Sequence, residues 1–411
     1  MEVKEASAKY SRATGYKQTE VGVIPEDWGI GRLGDHSEIT KLAGFEYSTH
    51  FNSYKDGGEV IVIRGTNITH NSLDLSDVKT IPKSTSDKLP RSKLKEGDLV
   101  FAYVGTIGPV FLIDKDNRYH LGPNTARITC KDGLFPRFLF CYFLSDLIRK
   151  EITERISTGA QPSLSMAKIR AFRILIPTKA EQKAIAEALS DVDALIESLE
   201  QLLAKKRHLK QGTMQELLTG RTRLPGFSGE WEVKRLEEIA EIVMGQSPSS
   251  AHYNNKGDGL PLIQGNADIS NRKTIKRVFT TEVTKRGRCG DILMSVRAPV
   301  GEISRAAFDV CLGRGVCAIR YPNEFLYHAL IAKEPVWAKL SKGSTFDSVN
   351  STDVKAFGIE LPMDNDEQTA IATILADMDT EIAAHEEKLA KARAIKQGMM
   401  QELLTGRIRL V

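Results

Sequence analysis

The chain is poor in the residues that build redox, metal or membrane chemistry. Its five cysteines, Cys130, Cys141, Cys289, Cys311 and Cys317, are odd in number and never spaced Cys-x-x-Cys. That spacing argues against a disulfide framework or a thiolate zinc site and predicts reduced, buried thiols. The eight histidines are scattered and offer no metal-ligand spacing. No run of about 18 apolar residues and no leader pattern occur, so a soluble, cytoplasmic protein without membrane contact is expected. The Gly-x-x-x-x-Gly-Lys-Ser/Thr phosphate loop, Gly-x-Ser-x-Gly and His-Glu-x-x-His are missing, as is the Asn/Asp-Pro-Pro-Tyr/Phe segment of amino-methyltransferases. What remains does not make a catalytic centre, so the chain reads as a non-enzyme. Asp191 and Asp193, repeated as Asp377 and Asp379, lie on a charged helix face and are not paired catalytic carboxylates. The net charge of +4 permits nucleic-acid binding without demanding it.

Repetition is what the chain has in abundance. Residues 181–224 read EQKAIAEALSDVDALIESLEQLLAKKRHLKQGTMQELLTGRTRL, and residues 367–410 read EQTAIATILADMDTEIAAHEEKLAKARAIKQGMMQELLTGRIRL. More than half of the aligned positions agree without a gap, which makes the chain a long-period tandem duplication. Ile185, Leu189, Val192, Ile196, Leu199 and Leu203 follow steps of four and three, as the a and d positions of a coiled coil do. Ile371, Leu375, Met378, Ile382 and Leu389 repeat that seam. Thr178-x-x-Glu181 and Asp364-x-x-Glu367 predict capping boxes, and Gly220 and Gly406 predict glycine C-caps. Two helices of roughly 40 residues, each about 60 Å long, are therefore expected to pair with one another.

Between the repeats the chain predicts mixed α/β regions. Val60–Ile63 and Asp98–Val104 read as strands, Phe138–Ile156 carries helical spacing, and Ile174–Ile176 closes the first region. The two regions are loosely related. Trp28 answers Trp231, Ile63-Arg-Gly65 answers Ile263-Gln-Gly265, Gly97-Asp98 answers Gly290-Asp291, and Ser157-Thr-Gly159 answers Ser341-Lys-Gly343. The expected organisation is a flexible arm over 1–20, a globular domain over 21–177, a helix over 178–222, a second domain over 223–363 and a final helix over 364–411. The helices need to be alike, and the domains need to differ.

The duplicated Glu-Gln-x-Ala-Ile-Ala helices, their Leu-Leu-Thr-Gly-Arg ends, Ile-Pro-Glu-Asp-Trp28 and Leu-Pro-Gly-Phe-Ser-Gly-Glu-Trp231 resemble the specificity subunits of Type I restriction–modification systems over nearly the whole chain. The resemblance implies an α/β (α+β) fold with two target-recognition domains, separated by two conserved helices in an antiparallel, pseudo-two-fold coiled coil. It implies that each domain reads one half of a bipartite site in double-stranded DNA, while the helices set the spacer. It further implies two methyltransferase subunits docked on the helices, along with restriction subunits that translocate and cut. S-adenosylmethionine, ATP and Mg would then bind to those partners and no cofactor to this chain.

Base and phosphate readout needs side chains that reach a groove from loops. Candidates in the first domain are Arg64 and Asn67 after the first strand, Thr106 in the Val-Gly-Thr-Ile-Gly turn, and Gln161, Ser163 and Lys168. Their counterparts in the second are Gln264, Asn266, Arg297, Lys342, Ser344 and Thr345. A second reading, a coiled-coil scaffold joining two protein-binding domains without DNA contact, draws on the low net charge. Salt-dependent DNA binding separates the two.

Overall fold

The computed structural model describes residues 10–11, 15–50, 57–69, 72–157, 162–341 and 348–410. The chain forms two units, residues 1–198 with 389–411 and residues 199–388. Strands of the first are β1 (Ser37–Lys41), β2 (Val60–Ile63), β3 (Leu99–Ala102), β4 (Val110–Leu112), β5 (Tyr119–Leu121) and β6 (Thr125–Cys130). They pair antiparallel in the order β4-β3-β6-β1, and β2 runs parallel to β5. Helices α1 (Pro136–Phe143) and α2 (Asp146–Arg155) follow, and Arg173–Ile176 then pairs with Gly29–Arg32 ahead of the long helix α3 (Lys179–Leu217).

The second unit repeats this plan. Its strands are β7 (Glu241–Met244), β8 (Leu260–Ile263), β9 (Ile292–Ser295), β10 (Ile303–Arg305), β11 (Val310–Leu312) and β12 (Val316–Arg320). They pair β10-β9-β12-β7 antiparallel, with β8 parallel to β11. Helices α4 (Phe325–Ala332) and α5 (Glu334–Ser341) precede the pairing of Gly358–Pro362 with Trp231–Arg235 and the long helix α6 (Asn365–Leu403). Strands β3 and β9 are buried at every residue, so both read as near-continuous apolar runs, with Ser295 at the end of β9 the one polar residue, rather than alternating ones.

Several expectations change. The helical stretch expected over 138–156 is two helices, because Ser145 turns its hydroxyl back onto the Tyr142 carbonyl (2.6 Å) and restarts the chain at Asp146. The arm expected over 1–20 is partly tied down. Tyr10–Ser11 pairs with Arg409–Leu410, and Tyr16–Thr19 with Gly22–Pro25. The thiols are not all buried: Cys289 is exposed and Cys130 half-buried. Burial pushes the thiols of Cys130 and Cys317 up to about 12, which leaves them inert as nucleophiles.

Within each unit the two long helices run antiparallel. Lys396 meets Asp193 at 2.5 Å in the first unit, and their repeat equivalents Lys210 and Asp379 meet at 2.5 Å in the second. The seam divides by depth. Ile185 and Leu189 pack into the first unit's core and Ile371 and Leu375 into the second's, where Met378 lies against them. Leu203 and Leu389 are buried, whereas Val192, Ile196, Leu199 and Ile382 are half-buried. The first turns of each helix therefore serve the globular cores, and the heptad pattern carries on past them.

One stability consequence follows from the second core. His328 on α4 is 2% exposed, and burial, with Lys210 adding to it, pushes its pKa down to about 4. The unfolded chain protonates this imidazole near its ordinary value of about 6.5, so between 6.5 and 4 the unfolded state binds more protons. Stability of the second unit should fall as the pH drops through that window, by up to roughly 3 kcal/mol. His328→Leu should flatten that part of the profile in urea unfolding from pH 7 to 4. An unchanged slope would count against it.

Candidate nucleic-acid interface and helix clasps

In both units the strand β2 or β8 ends in a short 3-10 turn, and one buried side chain fixes its shape. Asn67 accepts hydrogen bonds from the Arg64 backbone N–H (3.2 Å) and from Arg64 Nε (3.0 Å), and its amide donates to the carbonyls of Asp74 (3.3 Å) and Asp77 (2.9 Å). The Arg64 guanidinium is also held by the Asp77 carboxylate at 3.1 Å. Asn67 is thus buried with its side chain committed to its own turn, and Arg64 is half-buried in the same network. In the second unit Asp268 takes the place of Asn67, accepting the Gln264 N–H at 2.8 Å. This segment is one residue longer there, so Asn266 is not the counterpart of Asn67. Its amide bonds Glu302 instead, and Gln264 is exposed.

The same turn launches hairpins of opposite charge. In the first unit Ile68–Thr69 pairs with Ser72–Leu73, and Asp74 and Asp77 follow. In the second, Ile269–Ser270 pairs with Lys273–Thr274, and Lys276 and Arg277 follow. Lys273, Lys276 and Arg277 are exposed, with Lys276 Nζ 4.9 Å from the Phe308 ring centre. Arg272, at positive φ in the turn, is anchored bidentately on Glu334 (2.5 and 3.0 Å). None of the residues of this basic hairpin is among the readout candidates named from the sequence. The Arg-Lys…Lys-Arg spacing at 272–277 was its signal.

A second loop pair gathers other candidates. Thr106 is exposed on the loop between β3 and β4. Val104, two residues after the end of β3, bridges Ser163, and Ser163 also bridges Ser157. Lys168 Nζ donates to Ser157 Oγ at 2.7 Å, so Ser163 and Lys168 share one loop surface beside Thr106. Gln161 lies outside the described residues. In the second unit the exposed Arg297 bridges Ser348 as Val104 bridges Ser163, while Lys342, Ser344 and Thr345 lie outside the described residues.

The Glu-Gln pair opening each long helix proves to be a clasp. The Glu181 backbone N–H donates to the Thr178 hydroxyl oxygen (3.3 Å), but the Glu181 carboxylate does not complete a capping box. It accepts the Trp28 indole N–H (2.9 Å) and the guanidinium of Arg409, whose other edge holds Asp27 at 2.8 and 2.9 Å. That guanidinium keeps the Asp27 carboxyl below the usual range. Glu367 is likewise taken by Arg223 in a bidentate pair at 2.6 and 2.7 Å, with Arg223 over the Trp231 ring. The neighbouring Gln182 bonds Phe135 N–H and the carbonyls of Gly133 and Pro177, and Gln368 meets Tyr321, Asn323 and Pro362. Gly220 and Gly406, at φ 64 and 72, turn each helix end toward these tryptophans.

Among the described residues no group of His, Cys, Asp and Glu could hold a metal ion, and no helix is long and apolar enough to cross a membrane.

Residues 25–205 and 228–394 match the family model of the Type I restriction modification DNA specificity domain. The type I restriction enzyme MjaX specificity subunit of Methanocaldococcus jannaschii is 30% identical over 431 residues, covering 98% of each chain. The EcoKI specificity subunit of Escherichia coli K12 is 24% identical over 257 residues, 59% of this chain and 54% of that protein. A structure from work on complex assembly and conformational transition of the type I R-M system is 25% identical, with a TM-score of 0.59 over 93% of this chain and 99% of its own. The Type I S subunit from M. genitalium, 15% identical, shares the fold with a TM-score of 0.62 over 92% of this chain and 96% of its own.

Proposed function

The chain belongs to the DNA specificity subunits of Type I restriction–modification systems, and from that premise we propose that its two units read unlike halves of one split DNA site. The observation that carries the reading is one framework with two different surfaces. The same six-strand pairing and the same turn at Asn67 or Asp268 present an acidic hairpin in one unit and a basic one in the other. Two unlike readers on a common scaffold give an asymmetric, bipartite target, with phosphate contacts fixing register and loop side chains reading bases. Arg297, Gln264, Lys273 and Lys276 are the readout candidates in the second unit, and Thr106, Ser163 and Lys168 in the first. The paired long helices set the number of unread base pairs between the half-sites. A scaffold without DNA contact has no support from the family.

Methyl transfer and cleavage belong, in this reading, to partners: two methyltransferase subunits docked on the repeated helices, and restriction subunits. Those partners, working in the cytoplasm, would hold S-adenosylmethionine, ATP and Mg. The test is a genome-wide methyladenine map of the source strain with this gene intact and deleted. Deletion should abolish methylation at one motif made of two short half-sites around a fixed gap. A map that stays unchanged while the partner genes are expressed would refute the reading.

A further inference from the structure

We propose that Glu302 is the residue of the second unit that selects a cytosine, accepting a hydrogen bond from the N4 amine of that base in the major groove. The inference rests on the split-site reading proposed above, and gives one position of that site both a base and a side chain.

Glu302 stands where the readout segments of the second unit converge. It closes the loop between β9 and β10, which also carries Arg297. The Ser295 hydroxyl pins that loop from within, 2.7 Å from the carbonyl oxygens of both Arg297 and Pro299. From the turn after β8, the Asn266 amide donates to Glu302 Oε2. With Asn271 and Arg272 at the tip of the basic hairpin, Glu302 lines a cavity of about 300 Å³. Matched backbone bonds identify its counterpart in the first unit. The Ser295 N–H bonds the Glu302 carbonyl at 3.0 Å, as the Ala102 N–H bonds the Pro109 carbonyl at 2.9 Å. Proline has no side-chain acceptor, so the carboxylate belongs to one reader only.

The charge of Glu302 runs against the surface that carries it. Lys273, Lys276, Arg277 and Arg297 are exposed on the hairpin and loop that flank it, and suit a phosphate backbone that a bare carboxylate repels. The neighbouring Glu334 escapes that cost, because it holds Arg272 bidentately and accepts the Ile303 N–H at 2.9 Å. Glu302 is exposed, and the amide that holds it is neutral and takes Oε2, so Oε1 is left to an outside donor. A carboxylate accepts and cannot donate. The major groove offers it two donors, the N6 amine of adenine and the N4 amine of cytosine. Adenine sets the acceptor N7 beside its amine, which repels a carboxylate, whereas the amine is all that cytosine presents there. A carboxylate at this place therefore costs affinity for DNA in general and returns discrimination in favour of cytosine.

The test maps methyladenine in the source strain for the wild-type chain, Glu302→Ala and Glu302→Gln, each with its partner subunits. The half-site read by the second unit should hold one C·G pair that Glu302→Ala relaxes to all four bases, with every other position and the gap unchanged. Glu302→Gln should admit adenine at that same position, because an amide matches its N6 and N7 edge. Binding of the purified complexes to duplexes of the mapped motif, with each pair of that half-site replaced in turn at fixed salt, reads the same change as an affinity. Discrimination at that one pair should fall by about tenfold or more in Glu302→Ala, and affinity for a duplex without the motif should rise. Variants that keep the wild-type motif and relative affinities overturn the proposal. A uniform loss at every position also overturns it, since that is what a mere prop for the Asn266 turn would give. Relaxation at a pair without cytosine overturns the choice of base. A wild-type complex that shows no split motif and no salt-dependent DNA binding would refute the split-site reading itself, an outcome distinct from these.

Discussion

Arg223→Ala should lower the stability of the second unit by about 3–5 kcal/mol, the usual cost of stranding one partner of a buried ion pair. Glu367 has no solvent exposure, and both its oxygens are bonded by Arg223 at 2.6 and 2.7 Å. Alanine removes the compensating charge and leaves the carboxylate desolvated. It also removes the cation resting on Trp231 and the donor to the Gly229 carbonyl. Arg409→Ala should act in the same way on the first unit through Glu181, which is 3% exposed. Lysine should rescue either site poorly, because a point charge cannot reproduce the planar two-pronged contact. The pair as a whole need not stabilise: Arg223→Met with Glu367→Leu should recover most of the loss, since an apolar replacement avoids both desolvation costs. Urea unfolding of these variants checks this. A loss below about 1 kcal/mol for Arg223→Ala would mean that water reaches Glu367.

The clasp also shows where the sequence was legible and where it was not. The long helices could be read because their signal is local: heptad spacing, a capping oxygen at Thr178, and glycines at 220 and 406 that only a left-handed turn requires. Glu181 and Glu367 are recognisable as repeated, but local spacing assigns them to capping boxes, whereas the structure gives their carboxylates to Arg409 and Arg223. Their partners Arg409 and Arg223 lie 228 and 144 residues away in sequence, and no periodicity reports such a contact. The burial of Asn67 is illegible for a related reason. An amide after a strand has the chemistry of a base reader, and only burial reveals that its four bonds are already used. The true counterpart, Asp268, was hidden by a single inserted residue, because side-chain equivalence follows the hydrogen bonds of the turn and not the spacing from Ile263. The basic hairpin at 272–277 was visible as composition but meant little until its acidic twin in the first unit came into view.

Replacing residues 236–357 with the corresponding stretch of another member of the family should exchange one half of the methylated motif and leave the other half unchanged. The cut points follow from the architecture. Both fall just inside the antiparallel pair Trp231–Arg235 with Gly358–Pro362, so the pair survives, and so does the Arg223–Glu367 clasp. The Leu236 N–H bonds the Phe357 carbonyl at 2.9 Å, which brings the two ends of the exchanged stretch side by side and lets an insert close without strain. Everything that distinguishes the second reader, from the basic hairpin to Arg297, lies within the exchanged segment, and both long helices lie outside it. Each mismatched base pair costs about 1–3 kcal/mol, so three pairs in the half-site should shift preference by on the order of 10²-fold or more. Methylation mapping of the chimaera reads both halves at once. A new half-site at an unchanged gap is the expected result. A chimaera that folds, assembles and still methylates the parental motif would place the reading of that half-site outside residues 236–357, and would remove the second unit from the recognition role assigned to it.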